Sequence, residues 1–152
     1  MIHRIHAKLT RPVAIEQAGA IAPLVAMLSS YSTYSQRTRA PAEALANLAF
    51  NDDNRVAIAR AGAIAPLVAL LSGGGTDEVM GAVARALGNL SCNNANNKAA
   101  ITRAGAIAPL VALLLSAGGT NIAYAAAAKA LANLGVGHRC THHRRASKRE
   151  RD

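Results

Sequence analysis

The sequence predicts an all-α solenoid of stacked helical repeats, because one twelve-residue segment occurs three times at a fixed spacing. Ala-Ile-x-x-Ala-Gly-Ala-Ile-Ala-Pro-Leu-Val begins at Ala14, Ala57 and Ala100, 43 residues apart each time. A fixed period of this length is typical of repeats that bury their apolar faces only against neighbouring repeats. The chain is 51% apolar but only 3% aromatic, which favours closely packed, alanine-rich helices.

The first two helices of each repeat lie in and around this segment. A short first helix is predicted over residues 12–18, 54–61 and 97–104. A glycine ends each of these helices, because glycine adopts the left-handed conformation at little cost. The second helix has a proline near its start, where no amide donor is required, and runs to about Leu28, Leu71 and Leu114. The glycines are Gly19, Gly62 and Gly105, and the prolines are Pro23, Pro66 and Pro109.

The third helix is the longest, and we predict it over residues 35–49, 77–91 and 121–134. Asp77 and Glu78 give the second copy an acidic first turn, which favours a helix start. Apolar residues then recur three and four positions apart, as in an amphipathic helix. Pro41 interrupts the first copy and should kink or shorten it, because proline removes a backbone hydrogen bond.

These patterns divide the chain into three repeats with a segment at each end. Residues 1–11 are an N-terminal segment, and the repeats span residues 12–54, 55–97 and 98–137. The repeat pattern stops after Leu134. Residues 138–152 are predicted to be a basic, disordered tail.

The net charge of +9 belongs mostly to the ends of the chain. Residues 13–137 contain eight basic and six acidic residues, whereas residues 138–152 contain six basic and two acidic residues. Nucleic-acid binding by the repeats is therefore not expected. The sequence has no apolar run of membrane-spanning length and no secretory signal pattern. Cys92 and Cys140 stand at unrelated repeat positions and do not resemble a disulfide framework, which favours a cytoplasmic or nuclear protein.

The sequence lacks catalytic, phosphate-binding and metal-binding motifs, so we expect no enzyme activity and no cofactor. Gly73-Gly74-Gly75 lacks the Lys-Ser/Thr that would make a phosphate-binding loop. The acidic residues are few and scattered, without an apolar setting that would shift a pKa. In the tail, the spacing of His and Cys fits no structural zinc pattern, so no metal site is expected. Those tail residues are His138, Cys140, His142 and His143.

The pattern resembles the armadillo repeat, with a glycine between the first two helices and Leu-x-Asn-Leu late in the third. That last motif occurs at residues 45–48, 87–90 and 131–134. The likeness covers residues 12–135 and is nearest to vacuolar-protein-8-like armadillo arrays of plants, algae and protists. It implies a right-handed superhelix in which the third helices line a concave groove that binds an extended peptide or a partner helix.

The resemblance also implies which residues line the groove. The family's groove asparagine, which bonds the peptide main chain, corresponds to Asn47, Asn89 and Asn133. Four residues earlier, where importin-α-like arrays have Trp, this chain has Glu43, Arg85 and Lys129. Recognition of basic nuclear-localisation peptides is therefore not expected, and the two cations favour an acidic ligand.

Other interpretations of these residues stay open at this point. Each asparagine could instead cap its helix or bond the neighbouring repeat. Arg85 and Lys129 could be an ordinary solvated helix face, and Glu43 could attract Arg85 across adjacent helices.

The tail and the repeat ends suggest further alternatives. Ser147 follows Arg144-Arg145-Ala146 and resembles a kinase target, and residues 144–151 form a basic run of the kind that contacts nucleic acid. The chain could therefore act on nucleic acid through its tail. It could also self-associate as a structural fragment, because its terminal repeats carry apolar residues and no polar cap.

Overall fold

The structure, a computed structural model, describes residues 19–30 and 35–135. In these residues the secondary structure is entirely helical. A short 3₁₀ helix at Gln36–Thr38 precedes the second α-helix. The α-helices are α1 (Gly19–Ser30), α2 (Arg39–Leu48), α3 (Asp52–Arg60), α4 (Ile64–Gly73), α5 (Asp77–Ser91), α6 (Ala95–Arg103), α7 (Ile107–Leu115) and α8 (Asn121–Leu134).

The helices form successive units, as the sequence predicts. Helices α3 to α5 make one three-helix unit and α6 to α8 make the next, whereas α1 and α2 occupy the second and third positions of a preceding unit. The first helix predicted for that unit, at residues 12–18, lies outside the described residues, so the count of three repeats stays a prediction. The proposed repeat boundaries after residues 54 and 97 fall inside α3 and α6.

Asparagine caps explain why α3 and α6 begin two residues earlier than predicted. The side chain of Asn51 accepts a hydrogen bond from the backbone N–H of Asn54, and Asn94 accepts one from Asn97. Each cap satisfies an N–H group that has no partner within the helix. At the other ends, Gly62 and Gly105 have φ of 80° and 84°, which confirms the predicted glycine stops.

Pro41 shortens the first of the three long helices, as predicted. Residues 36–38 form a 3₁₀ turn, and α2 starts only at Arg39, which places Pro41 third in the helix. At that position the missing N–H costs nothing, because the first turn has no carbonyl acceptor for it. The predicted third helices at residues 77–91 and 121–134 match α5 and α8.

The three third helices, α2, α5 and α8, lie side by side, and glycines set the spacing between α5 and α8. A Cβ atom on Gly88 would lie only 3.2 Å from the Cα atom of Ala130, and one on Gly81 would lie 3.3 Å from that of Ala123. Ala123, Ala130 and the intervening Ala127 are fully buried. Small residues on both helices therefore bring the two backbones close together.

A buried arginine joins the ends of two units. The Arg55 side chain is 7% exposed and donates hydrogen bonds to the carbonyl oxygens of Ala49, Phe50 and Cys92, at 2.7, 3.1 and 2.9 Å. It also pairs with the Asp52 carboxylate. A guanidinium group suits this position because it offers several donors in a fixed plane to the unpaired carbonyls at helix C-termini. This residue did not stand out in the sequence.

The lengths and compositions of the helices in the described residues bear on whether they could span a membrane. No single helix there is long and apolar enough to span a membrane. The pairs α3 with α4 and α6 with α7 reach the required length only when joined, and they are bent by 78° and 75°.

Candidate peptide-binding surface

The residues predicted to line a groove lie in one row along the third helices. We call this row the third-helix face, and it consists of Glu43 and Asn47 on α2, Arg85 and Asn89 on α5, and Lys129 and Asn133 on α8. Because α5 packs directly against both α2 and α8, matched positions on the three helices become neighbours. The structure therefore brings together the six residues that the sequence singled out.

Two of the three asparagines use their side-chain amide to bond the preceding unit. Asn89 Nδ2 donates to the carbonyl oxygen of Ala46 at 2.8 Å, and Asn133 Nδ2 donates to that of Gly88 at 2.9 Å. Both side chains are buried, with 3% and 7% exposure. The sequence left two roles open for these asparagines, contact with a peptide and a structural bond to the neighbouring repeat. The contacts in the structure are of the second kind. Their contact with a peptide stays a prediction.

Asn47 differs from the other two because no described helix precedes α2 on that side. It is exposed, and its side chain makes no hydrogen bond to any described residue. Only its backbone carbonyl takes part in a turn, by accepting from the N–H of Phe50. The three asparagines are thus equivalent in sequence but not in environment.

The interhelical bonds of Asn89 and Asn133 do not use their amide oxygens. An amide group offers an acceptor as well as two donors, and in both residues the hydrogen bond uses the nitrogen. In the described part of the chain, no buried side-chain nitrogen or oxygen lacks a hydrogen-bond partner. Neither oxygen accepts a bond from a described group, so each can act as an acceptor for a further donor.

The third-helix face contains one acidic residue, on α2, and two cations, on α5 and α8. Arg85 and Lys129 are both exposed on adjacent helices. Partial burial lowers the pKa of Lys129, and the positive charge of Arg85 lowers it further. Both effects disfavour the protonated amine.

Glu43 pairs with a cation on its own helix. Its carboxylate pairs with Arg39 one turn earlier on the same helix, at 2.9 Å from Arg39 Nε. Across the described residues, no ion pair joins Glu43 to Arg85, so the attraction considered between those two residues is not formed. An i, i+4 partner lies closer than a residue on the next helix, and the i, i+4 spacing of Arg39 and Glu43 is the sequence signal for this pair.

The remaining sequence predictions concern metals, modification and cysteine. In the described ranges no group of three or more His, Cys, Asp or Glu could hold a metal ion. Ser147 and the tail residues His138, Cys140, His142 and His143 lie outside the described residues. Cys92 is disulfide-bonded, so the expectation that the cysteines form no disulfide is wrong at this residue.

The asparagine contacts predict unequal effects of the same substitution. Asn89→Ala should lower the free energy of unfolding by about 1–2 kcal/mol, because the buried carbonyl of Ala46 loses its donor. Asn47→Ala should change it by less than about 0.5 kcal/mol, because that side chain is exposed. Urea denaturation of both variants checks this. Equal losses in the two variants would contradict the interhelical role.

The proximity of two cations predicts a measurable change in titration. Arg85→Ala should raise the pKa of Lys129 towards that of an ordinary lysine, because one of the two effects that lower it is removed. The part due to burial should persist. NMR titration of the Lys129 side chain measures this value, with Arg60→Ala as a control on an exposed arginine of α3. An unchanged pKa in Arg85→Ala would show that the two groups do not interact.

Comparison with known proteins places this arrangement in a family. The family model described as Armadillo/beta-catenin-like repeat matches residues 51–92, which correspond to the unit α3 to α5. No curated protein matches the sequence.

Several solved structures are similar to the chain. An engineered protein from a structural genomics consortium is 31% identical with a TM-score of 0.70, over 78% of this chain and 48% of that one. A designed armadillo repeat protein in complex with the peptide (KR)4 is 30% identical with a TM-score of 0.69, over 86% of this chain and 52% of that one. Computationally designed armadillo repeat proteins for modular peptide recognition give the same values.

This chain spans about half the length of those proteins. The likeness supports the family but does not support the narrower resemblance to vacuolar-protein-8-like arrays. The helical solenoid, the repeat motif and these matches agree: residues 51–92 are an armadillo repeat, and the chain has the fold of armadillo repeat proteins.

Proposed function

We propose that this chain is a non-enzymatic protein-interaction module that binds an extended, acidic peptide along the third-helix face. The family fold supports the general part of this proposal, since a designed armadillo repeat protein has been solved in complex with a peptide. The observation that carries it is the row of matched positions on α2, α5 and α8. Such a row offers contacts at a regular spacing, as an extended peptide requires.

Main-chain recognition would come from the asparagine oxygens. An extended peptide presents N–H groups along its length, and the oxygens of Asn89 and Asn133 are acceptors already held in place by their Nδ2 bonds. A side chain fixed in this way loses little conformational entropy on binding. Asn47, which is exposed, would extend the same row onto α2.

The sign of the charge would come from Arg85 and Lys129. The designed protein's ligand is the basic peptide (KR)4, which two adjacent cations would repel here. An acidic peptide would instead relieve the repulsion that helps to lower the pKa of Lys129. Because Glu43 is already paired with Arg39, it opposes such a ligand less than its formal charge suggests. Partly exposed charge pairs contribute modestly and are screened by salt.

The proposal predicts a preference that can be measured by fluorescence anisotropy. A labelled (Glu-Asp)4 peptide should bind more tightly than a labelled (KR)4 peptide, and its affinity should fall as salt is raised. The double variant Arg85→Ala/Lys129→Ala should bind the acidic peptide about 5- to 30-fold more weakly, if each cation contributes roughly 0.5–1 kcal/mol.

The matched control removes two cations elsewhere. Arg60 and Arg103 are exposed in the last turns of α3 and α6, so Arg60→Ala/Arg103→Ala lowers the net charge by the same amount without touching the third-helix face. This control should bind the acidic peptide nearly as well as the parent chain. Equal weakening by both double variants would mean that only net charge matters, and tighter binding of (KR)4 would reverse the proposed preference.

A further inference from the structure

A second surface, separate from the third-helix face, lies on the outer side of α7 and α8. It is visible when matched positions of successive units are compared. Ile64 and Val68 of α4 are 9% and 6% exposed, whereas Ile107 and Val111, which occupy the same positions in α7, are 43% and 40% exposed. The residues in the two pairs are identical, so their exposure differs because of what packs over them. The unit α6 to α8 packs over Ile64 and Val68.

The same comparison extends this surface onto α8. On α5, the positions that receive α8 are buried and small: Gly81, Ala84 and Gly88. Their counterparts on α8 are exposed. They are Ala125, Ala128 and Ala132, and together with Ile107 and Val111 they form what we call the end face.

The end face is almost free of charge. Between residues 107 and 135 the sequence contains one charged residue, Lys129, and that residue belongs to the third-helix face. A second cation, Lys98, lies half-buried at the position that Arg55 occupies in the preceding unit. When such an apolar surface packs against a copy of itself, no like charges face each other at its centre, so there is no electrostatic repulsion there.

The other possible arrangement, end face against the first unit of another copy, fits poorly. The residues of α8 that pack into α5 are Ala123, Ala127 and Ala130, all fully buried. In the first described unit the residues at those positions are Arg37, in the 3₁₀ helix before α2, and Pro41 and Ala44, in α2. A charged side chain and a proline therefore replace two of the three alanines that allow close approach. Among the described residues, the side of α2 that faces away from α5 therefore lacks the alanine stripe by which α8 packs against α5.

We propose that the end face is a self-association surface, through which a second copy of this chain packs against the same residues about a two-fold axis. Inside the chain, the unit α6 to α8 covers these positions on α4 and α5. The second copy would cover the matching positions on α7 and α8, so the proposed contact continues the packing between units. The alanine stripes of two α8 helices would cross closely, with Ile107 and Val111 of each copy against the other. Two-fold contacts between identical patches are the commonest closed assembly.

Sedimentation velocity of the full chain over a range of concentrations tests this proposal. The parent chain should sediment as a species of twice its 15.6 kDa mass. Ala128→Glu should sediment as a monomer, because it places a charge at the centre of the contact. Ala128 is exposed in the single chain, so this variant should retain the circular dichroism spectrum and the melting behaviour of a folded helical chain.

Ala112→Glu is the matched control. Ala112 is exposed on α7, and its counterpart Ala69 on α4 is exposed as well, so this position is not one that a following unit covers. The control should remain a dimer. A monomeric parent chain would overturn the proposal and would leave the end face to residues 136–152 or to another protein. A dimer that survives Ala128→Glu, or open-ended assemblies larger than a dimer, would overturn it too.

Discussion

The close packing of the third helices is the contact on which the other features depend. Where α8 crosses α5, Gly81 and Gly88 leave room for the backbone of α8 at Ala123 and Ala130. That spacing allows the side chain of Asn133 to reach the carbonyl oxygen of Gly88. It also holds Arg85 near enough to Lys129 to affect its pKa. Scaffold and candidate binding surface are therefore produced by one helix–helix contact.

This contact gives Asn89 and Asn133 a structural role, on which the proposed binding role would depend. Each of the buried pair donates to the carbonyl of the residue that precedes the asparagine of the helix before it: Asn89 to Ala46, and Asn133 to Gly88. The bond fixes the register between units and leaves the amide oxygen as an acceptor. A polar side chain that is held by the fold is better prepared to bind than a mobile one, because less conformational entropy is lost when the ligand arrives. Structural and binding roles are compatible in these residues.

The sequence predicted the helices more accurately than the contacts between them. Periodicity and capping glycines report local conformation, which is why the bounds of α5 and α8 and the turns at Gly62 and Gly105 were found. Which carbonyl a side chain reaches depends on the distance between helices, and the pattern of one repeat does not contain it. For this reason the Arg55 bridge was missed, and the side-chain bonds of the asparagines were left open between two interpretations.

Position in the array also changes what identical residues do. Ile64 and Ile107 belong to the same repeated segment, yet only the first is covered by a following unit. The repeated segment thus builds the interior of one unit and the exposed end face of another. Conversely, Glu43, Arg85 and Lys129 differ between repeats at one position of the third-helix face. Recognition of a ligand should depend on these differing residues, whereas self-association should depend on the repeated ones.

The most direct test of this account is the stability of Gly88→Val, with Ala69→Val on the exposed side of α4 as its control. A valine side chain at Gly88 must enter space that the backbone of Ala130 occupies, so the free energy of unfolding in urea should fall by about 1–3 kcal/mol. The control should change it by less than about 1 kcal/mol, the cost of helix propensity alone. If Gly88→Val were as stable as the parent chain, the third helices would not be in close contact, and the central claim would be contradicted.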